Sequence, residues 1–172
     1  SRPFTLIVGA TDAEAARDQA ADLAKASMAC HQDVACQSAL TNTANAVARM
    51  SYVEGNGGYN CTGTLLNNAA QDGTPYFLTA NHCIDTQTVA STLQTDWFYR
   101  AERCGSTALS SAAQSRKGGA ALLFTTATTD ATLLRLNDTP PAGTNLLGWN
   151  ASTPTDPIDV IGLHHPKGDL LK

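Results

Sequence analysis

No Cys-x-x-Cys pair occurs in this chain of 172 residues, although it holds five cysteines. The thiolate spacing of a structural zinc site is therefore missing. Long apolar runs are missing too. None approaches the roughly 20 residues that a membrane-crossing helix requires, so no membrane partner is expected. Charge is scarce, at 15% of residues, and the formal net charge of −4 comes from scattered signs. Without a basic stripe, nucleic acid is not an expected partner. The chain starts at Ser1 rather than at a methionine and shows no signal peptide, as expected of an already processed chain.

What is present is a modest stock of core residues. Apolar side chains make up 42% of the sequence, enough for one medium domain or two small ones. Thr, Asn and Gly are prominent among the rest, a mixture that suits short strands and polar turns better than long helices. Cysteines at this density point to an oxidising compartment, hence a secreted or periplasmic location. Their odd number leaves at least one free or bonded outside the chain.

Three regions emerge along the chain. In residues 1–29, Phe4, Leu6 and Val8 alternate as in a strand, and Thr11 with Glu14 forms a capping box that opens an alanine-rich helix over about 12–28. Leu23 is its only large aliphatic residue. The region reads as a surface appendage or the remnant of a propeptide, with a substrate-mimicking inhibitory arm as the functional alternative. Residues 30–136 read as strands at 46–53, 59–66, 75–80, 96–100, 120–125 and 131–136, separated by Gly-, Asn- and Asp-rich turns at 54–58, 67–74 and 115–119. Six strands so spaced predict a small closed antiparallel barrel. In residues 137–172, Pro140 and Pro141 mark a linker, and 146–149 with 159–164 predict the first strands of a second unit. Two strands alone are marginal in water, so this unit is expected to be completed by residues outside the chain.

Chemistry concentrates around Thr79-Ala80-Asn81-His82-Cys83, which follows an apolar strand, with Cys61 on the strand before it. A Cys61–Cys83 bond would hold the His82 imidazole rigidly. Asp130 directly precedes the strand Ala131-Thr132-Leu133-Leu134-Arg135-Leu136, which would pin a carboxylate at the barrel rim. Asp85, Asp96, Asp138 and Asp159 are the other carboxylates that could serve. His164 and His165, before Pro166, point to opposite faces if they lie in a strand, so a structural or pocket-supporting role is expected rather than a shared site. Trp97, Phe98, Tyr99 and Trp149 read as core and inter-barrel packing. The Asn60, Asn137 and Asn150 sequons carry no assigned function.

Taken together, Cys61-Thr-Gly-Thr-Leu-Leu-Asn-Asn68, Pro75-Tyr-Phe-Leu-Thr-Ala-Asn-His82-Cys83 and Thr129-Asp130-Ala-Thr-Leu-Leu-Arg-Leu136 resemble the trypsin-like serine peptidases. The chain is most similar to their bacterial lysyl endopeptidase branch. Cys30 and Cys36 with Asp33 and Val34 between them, Trp97-Phe98-Tyr99 through to Cys104, and Ile161-Gly-Leu-His-His-Pro166 extend the likeness over about residues 30–172. The resemblance implies an all-β, double antiparallel β-barrel fold, of which this chain holds the first barrel and the start of the second. It implies a secreted endopeptidase cutting protein or peptide substrates after Lys, with His82 as base and Asp130 as its carboxylate.

No metal or organic cofactor is expected for such chemistry. The family's nucleophile turn, oxyanion hole and specificity pocket belong to the second barrel. None of the serines here sits in a Gly-Asp-Ser-Gly-like turn, so the serine is expected on a companion C-terminal piece. The alternative is a non-catalytic pseudoprotease or adhesion module that retained the first barrel. The resemblance also pairs Cys36 with Cys104 and leaves Cys30 for a cysteine of the companion piece; a local Cys30–Cys36 bond is the competing arrangement. Residues 168–171 read as an exposed segment, and Lys172 as the end left by self-cleavage.

Overall fold

In the computed structural model, residues 30–152 and 159–172 are described; the predicted N-terminal strand and helix lie outside them. Seven strands form one antiparallel sheet: β1 (Val47–Glu54), β2 (Gly57–Leu66), β3 (Tyr76–Thr79), β4 (Gln94–Trp97), β5 (Gln114–Arg116), β6 (Ala120–Thr126) and β7 (Ala131–Leu136). Their spatial order is β5-β4-β1-β2-β3-β7-β6. Two single-turn helices, α1 (Thr41–Ala44) and α2 (Gln87–Ala90), and short 3₁₀ turns complete the described structure. The fold is all-β and trypsin-like, as the sequence predicts.

Alternation sets the core. Ala48, Met50 and Tyr52 of β1 are buried on one face, while Arg49 and Ser51 between them are only partly covered. That face meets Leu65, Phe77, Ile84, Leu93, Trp97 and Leu134 in one cluster. Burying side chains of this size stabilises the fold by roughly 1.5–3 kcal/mol each. Phe77 stands edge-on to Trp97, with ring centroids 6.0 Å apart. Gly63 makes this possible: a Cβ there would lie 2.2 Å from the Phe77 ring. At the β1–β2 hairpin, Gly55 (φ 57°) takes the positive φ that the first central position of a II′ turn needs.

The sheet does not close into a barrel by hydrogen bonding; β5 and β6 are its edges. At one edge, the Gln87 side-chain amide donates to the Ala120 carbonyl (2.9 Å) and accepts from the Leu122 N–H (2.8 Å), standing in for a further strand beside β6. At the other, β5 is a three-residue strand, two residues of which fall in the turn predicted at 115–119. The predicted strand 96–100 ends early, because Phe98 adopts φ 54° and breaks the extended run.

The predicted strands at 146–149 and 159–164 do not form. Leu147 makes a single parallel bridge to Leu66, and 163–172 folds back onto the sheet. His164 and Lys172 exchange both backbone hydrogen bonds (3.1 and 3.0 Å), and the Leu171 N–H donates to Tyr99 O (3.0 Å). Leu163 and Leu171 bury against Val34, Ala44 and Val47 in a second cluster. Gly168, Leu170 and Leu171 are therefore buried, not exposed as their sequence suggests. Trp149, read as core and inter-barrel packing, is outside the core of this chain: it is 64% exposed, and its indole N–H donates to Asn67 O at 3.1 Å.

Candidate active site

β3 delivers His82. Its last residue, Thr79, is buried and donates its hydroxyl to Thr62 O (3.0 Å) on β2. The chain then makes one turn, with the N–H groups of Cys83 and Ile84 both donating to Ala80 O (3.2 and 3.3 Å). Cys83 is bonded to Cys61 of β2, so the residue beside His82 is covalently fixed to the next strand but one from β7. A second disulfide joins Cys36 to Cys104, and Cys30 is free and exposed. By loop-closure entropy the two bonds stabilise the fold by about 3 and about 4 kcal/mol, the longer loop gaining more.

Asp130 comes from the turn between β6 and β7 and adopts φ 49°, a left-handed conformation that Asp tolerates better than most residues. Both of its oxygens engage the same partner. Oδ1 accepts from the His82 backbone N–H at 2.9 Å, and Oδ2 lies 2.7 Å from His82 Nδ1. An ionised carboxylate only accepts, so Nδ1 carries the proton and Nε2 keeps a lone pair. Burial alone would raise the Asp130 carboxyl; the backbone N–H, ring and charge of His82, with the Asn81 N–H, outweigh it and hold the group below the ordinary carboxylate value. The His82 side chain is 31% exposed, open enough to meet a substrate. Chemically, such an arrangement can accept a proton at Nε2, with a counter-ion in place for the cationic ring.

The other candidate carboxylates have surroundings of their own. Asp96 is buried against Arg49 (3.5 Å) on the neighbouring strand, Asp138 accepts from the Gly118 N–H (2.7 Å), and Asp85 and Asp159 are exposed. His164 and His165 have their own surroundings. His164 stands edge-on to His31 at 4.9 Å, and burial followed by the nearby His31 lowers its proton affinity. His165 is buried beside Tyr99 and donates from Nδ1 to Asp169 O (2.9 Å). Ligand atoms of Cys61, His82 and Cys83 lie within 4.8 Å of one another, but the two sulfurs are joined in a disulfide and are not thiolates. Asn81, Thr125 and Thr132, for which the sequence alone indicates no role, form hydrogen bonds beside the His82–Asp130 pair.

An antiparallel all-β sheet that sets a disulfide-flanked histidine against an aspartate later in the chain is the arrangement of the trypsin-like peptidase class. Residues 24–172 match the family model described as lysyl endopeptidase, C-terminal domain, and the chain belongs to that family. It is 38% identical over 156 residues to the lysyl endopeptidase of Pseudomonas aeruginosa, a match covering 86% of this chain and 34% of that protein. The chain thus spans about a third of the length of this relative.

Proposed function

We propose that this chain supplies the base and its carboxylate to a serine endopeptidase that cleaves after lysine. The observation that carries the reading is the two-point grip of Asp130 on His82, which leaves Nε2 free to accept a proton. In this mechanism, Nε2 takes the hydroxyl proton of a serine as its oxygen attacks the scissile carbonyl. His82 then delivers that proton to the leaving amine, and a second cycle with water releases the acyl group. Asp130 holds the tautomer and stabilises the imidazolium. The serine, the oxyanion donors and the lysine pocket come from a C-terminal part outside residues 1–172, which carries the second barrel. Exposed Cys30 is proposed to bond to a cysteine of that part. The substrates are proteins and peptides, and the two disulfides together with family membership support an extracytoplasmic location.

The test is digestion of a defined peptide mixture by the complete enzyme and by its His82→Ala variant. Cleavage restricted to Lys-X bonds in the first and its loss in the second is expected. Cleavage without regard to lysine, or retained by His82→Ala, contradicts the proposal.

A further inference from the structure

A file of hydrogen bonds runs beside the proposed catalytic pair. The Asn81 side-chain amide donates to Thr125 Oγ1 at 2.7 Å, Thr125 Oγ1 and Thr132 Oγ1 are 2.6 Å apart, and the Thr132 hydroxyl donates to Ile84 O at 2.7 Å. Its direction is forced. The Ile84 carbonyl can only accept, so it takes the single hydroxyl proton of Thr132. Thr132 must then accept from Thr125, whose own proton is thereby used. Thr125 can in turn only accept from Asn81. Each hydroxyl accepts once and donates once, and none could be reversed without leaving a neighbour unpaired.

The ends of this relay matter. Asn81 and Ile84 flank His82 and Cys83, whereas Thr125 and Thr132 face each other across β6 and β7. Only one further strand pair, Thr126 with Ala131, separates them from the turn that carries Asp130. The segment bearing the histidine is thus tied at two points to the strand ends bearing the aspartate. Thr132 is wholly buried, so its hydroxyl has no water to fall back on.

We propose that Thr125 and Thr132 are positioning residues that set the separation of His82 and Asp130. This rests on the serine-peptidase reading above. Neither threonine touches the reacting atoms. Their effect passes through the placement of the two segments, where misplacement by about 1 Å costs on the order of a hundredfold in rate.

The test compares Thr132→Val, Thr132→Ser, Thr125→Val and, as a control, Thr95→Val in the complete enzyme. Thr95 is also buried and accepts from the Trp97 indole (2.9 Å), but it lies on β4, outside the relay. Two quantities are read: kcat and KM on a lysyl peptide, and the downfield proton resonance of the His82 Nδ1–H···Asp130 bond. Thr132→Val and Thr125→Val are expected to lower kcat about ten- to a hundredfold with KM within about twofold, and to shift or broaden the resonance. Thr132→Ser restores both, and Thr95→Val changes neither. If Thr132→Val does not fold, Thr125→Val, on the partly exposed edge strand, decides. Wild-type kcat and resonance in the folded valine variants, or an equal loss of kcat in Thr95→Val, overturns the proposal. A wild-type enzyme without lysyl peptidase activity would instead refute the reading on which it rests, while the resonance would still report on the relay.

Discussion

Asp130 holds His82 twice, by its ring nitrogen at 2.7 Å and by its own main-chain N–H at 2.9 Å. Two contacts from one carboxylate fix both the tautomer and the orientation of the imidazole relative to its backbone. A single contact would leave the ring free to turn about its Cβ. Asp130 makes this grip from a left-handed backbone (φ 49°) in the turn before β7, a conformation that Asp tolerates better than most residues.

Replacing Asp130 with Asn removes the charge and offers an amide that can donate as well as accept. The His82 ring is then free to take the tautomer whose proton sits on Nε2. In triads of this kind the loss is about 10⁴ in kcat. Steady-state kinetics of Asp130→Asn on a lysyl peptide should show that loss with little change in KM. A fall of less than tenfold would mean that Asp130 does not set the tautomer.

The Cys61–Cys83 bond closes a loop with a sequence separation of 22. Its removal in Cys61→Ala/Cys83→Ala is expected to lower stability by about 3 kcal/mol, read from urea denaturation. Because Cys83 adjoins His82, kcat should fall as well. Unchanged kcat would show that the turn after β3 holds His82 without the disulfide.

His165 makes stability depend on acid. Burial pushes its imidazole down to about 3, with the Asp169 carbonyl opposing and Arg49 adding to the effect. In the unfolded chain a histidine titrates at about 6.5. Between these values the unfolded state binds a proton that the folded state refuses, so stability is full above about pH 6.5 and is lost as pH falls toward about 3. The slope from this group approaches about 1.4 kcal/mol per pH unit inside that window. His164, lowered first by burial and then by His31, acts in the same direction. Asp130, whose folded value is depressed, adds its loss only below the unfolded carboxylate range of about 3.9. Urea midpoints between pH 7 and pH 4.5 should fall for the wild type and fall less for His165→Phe. A flat wild-type profile would contradict the buried neutral state of His165.

Much of the sheet can be read from residues alone. β1, β2, β3, β6 and β7 each carry apolar alternation or a short apolar run bounded by turn residues. β5 does not: Gln114, Ser115 and Arg116 become a strand only through pairing with Thr95, Asp96 and Trp97. Conversely, Leu146, Leu147, Ile161 and Leu163 look like strand residues, but within this chain they find at most one bridge and an apolar cluster. Around the candidate site, His82 and Asp130 stand out because each ends or begins a recognisable apolar strand. Thr125 and Thr132 could not be singled out, since threonine is abundant throughout and only the β6–β7 register brings these two face to face.

The most direct measurement of the central claim is labelling of the complete enzyme with a fluorophosphonate, followed by peptide mapping. A base at His82 held by Asp130 requires one modified serine, outside residues 1–172, with a labelling rate that collapses in His82→Ala and falls by orders of magnitude in Asp130→Asn. Modification of a serine within residues 1–172, or a rate indifferent to both substitutions, would contradict it.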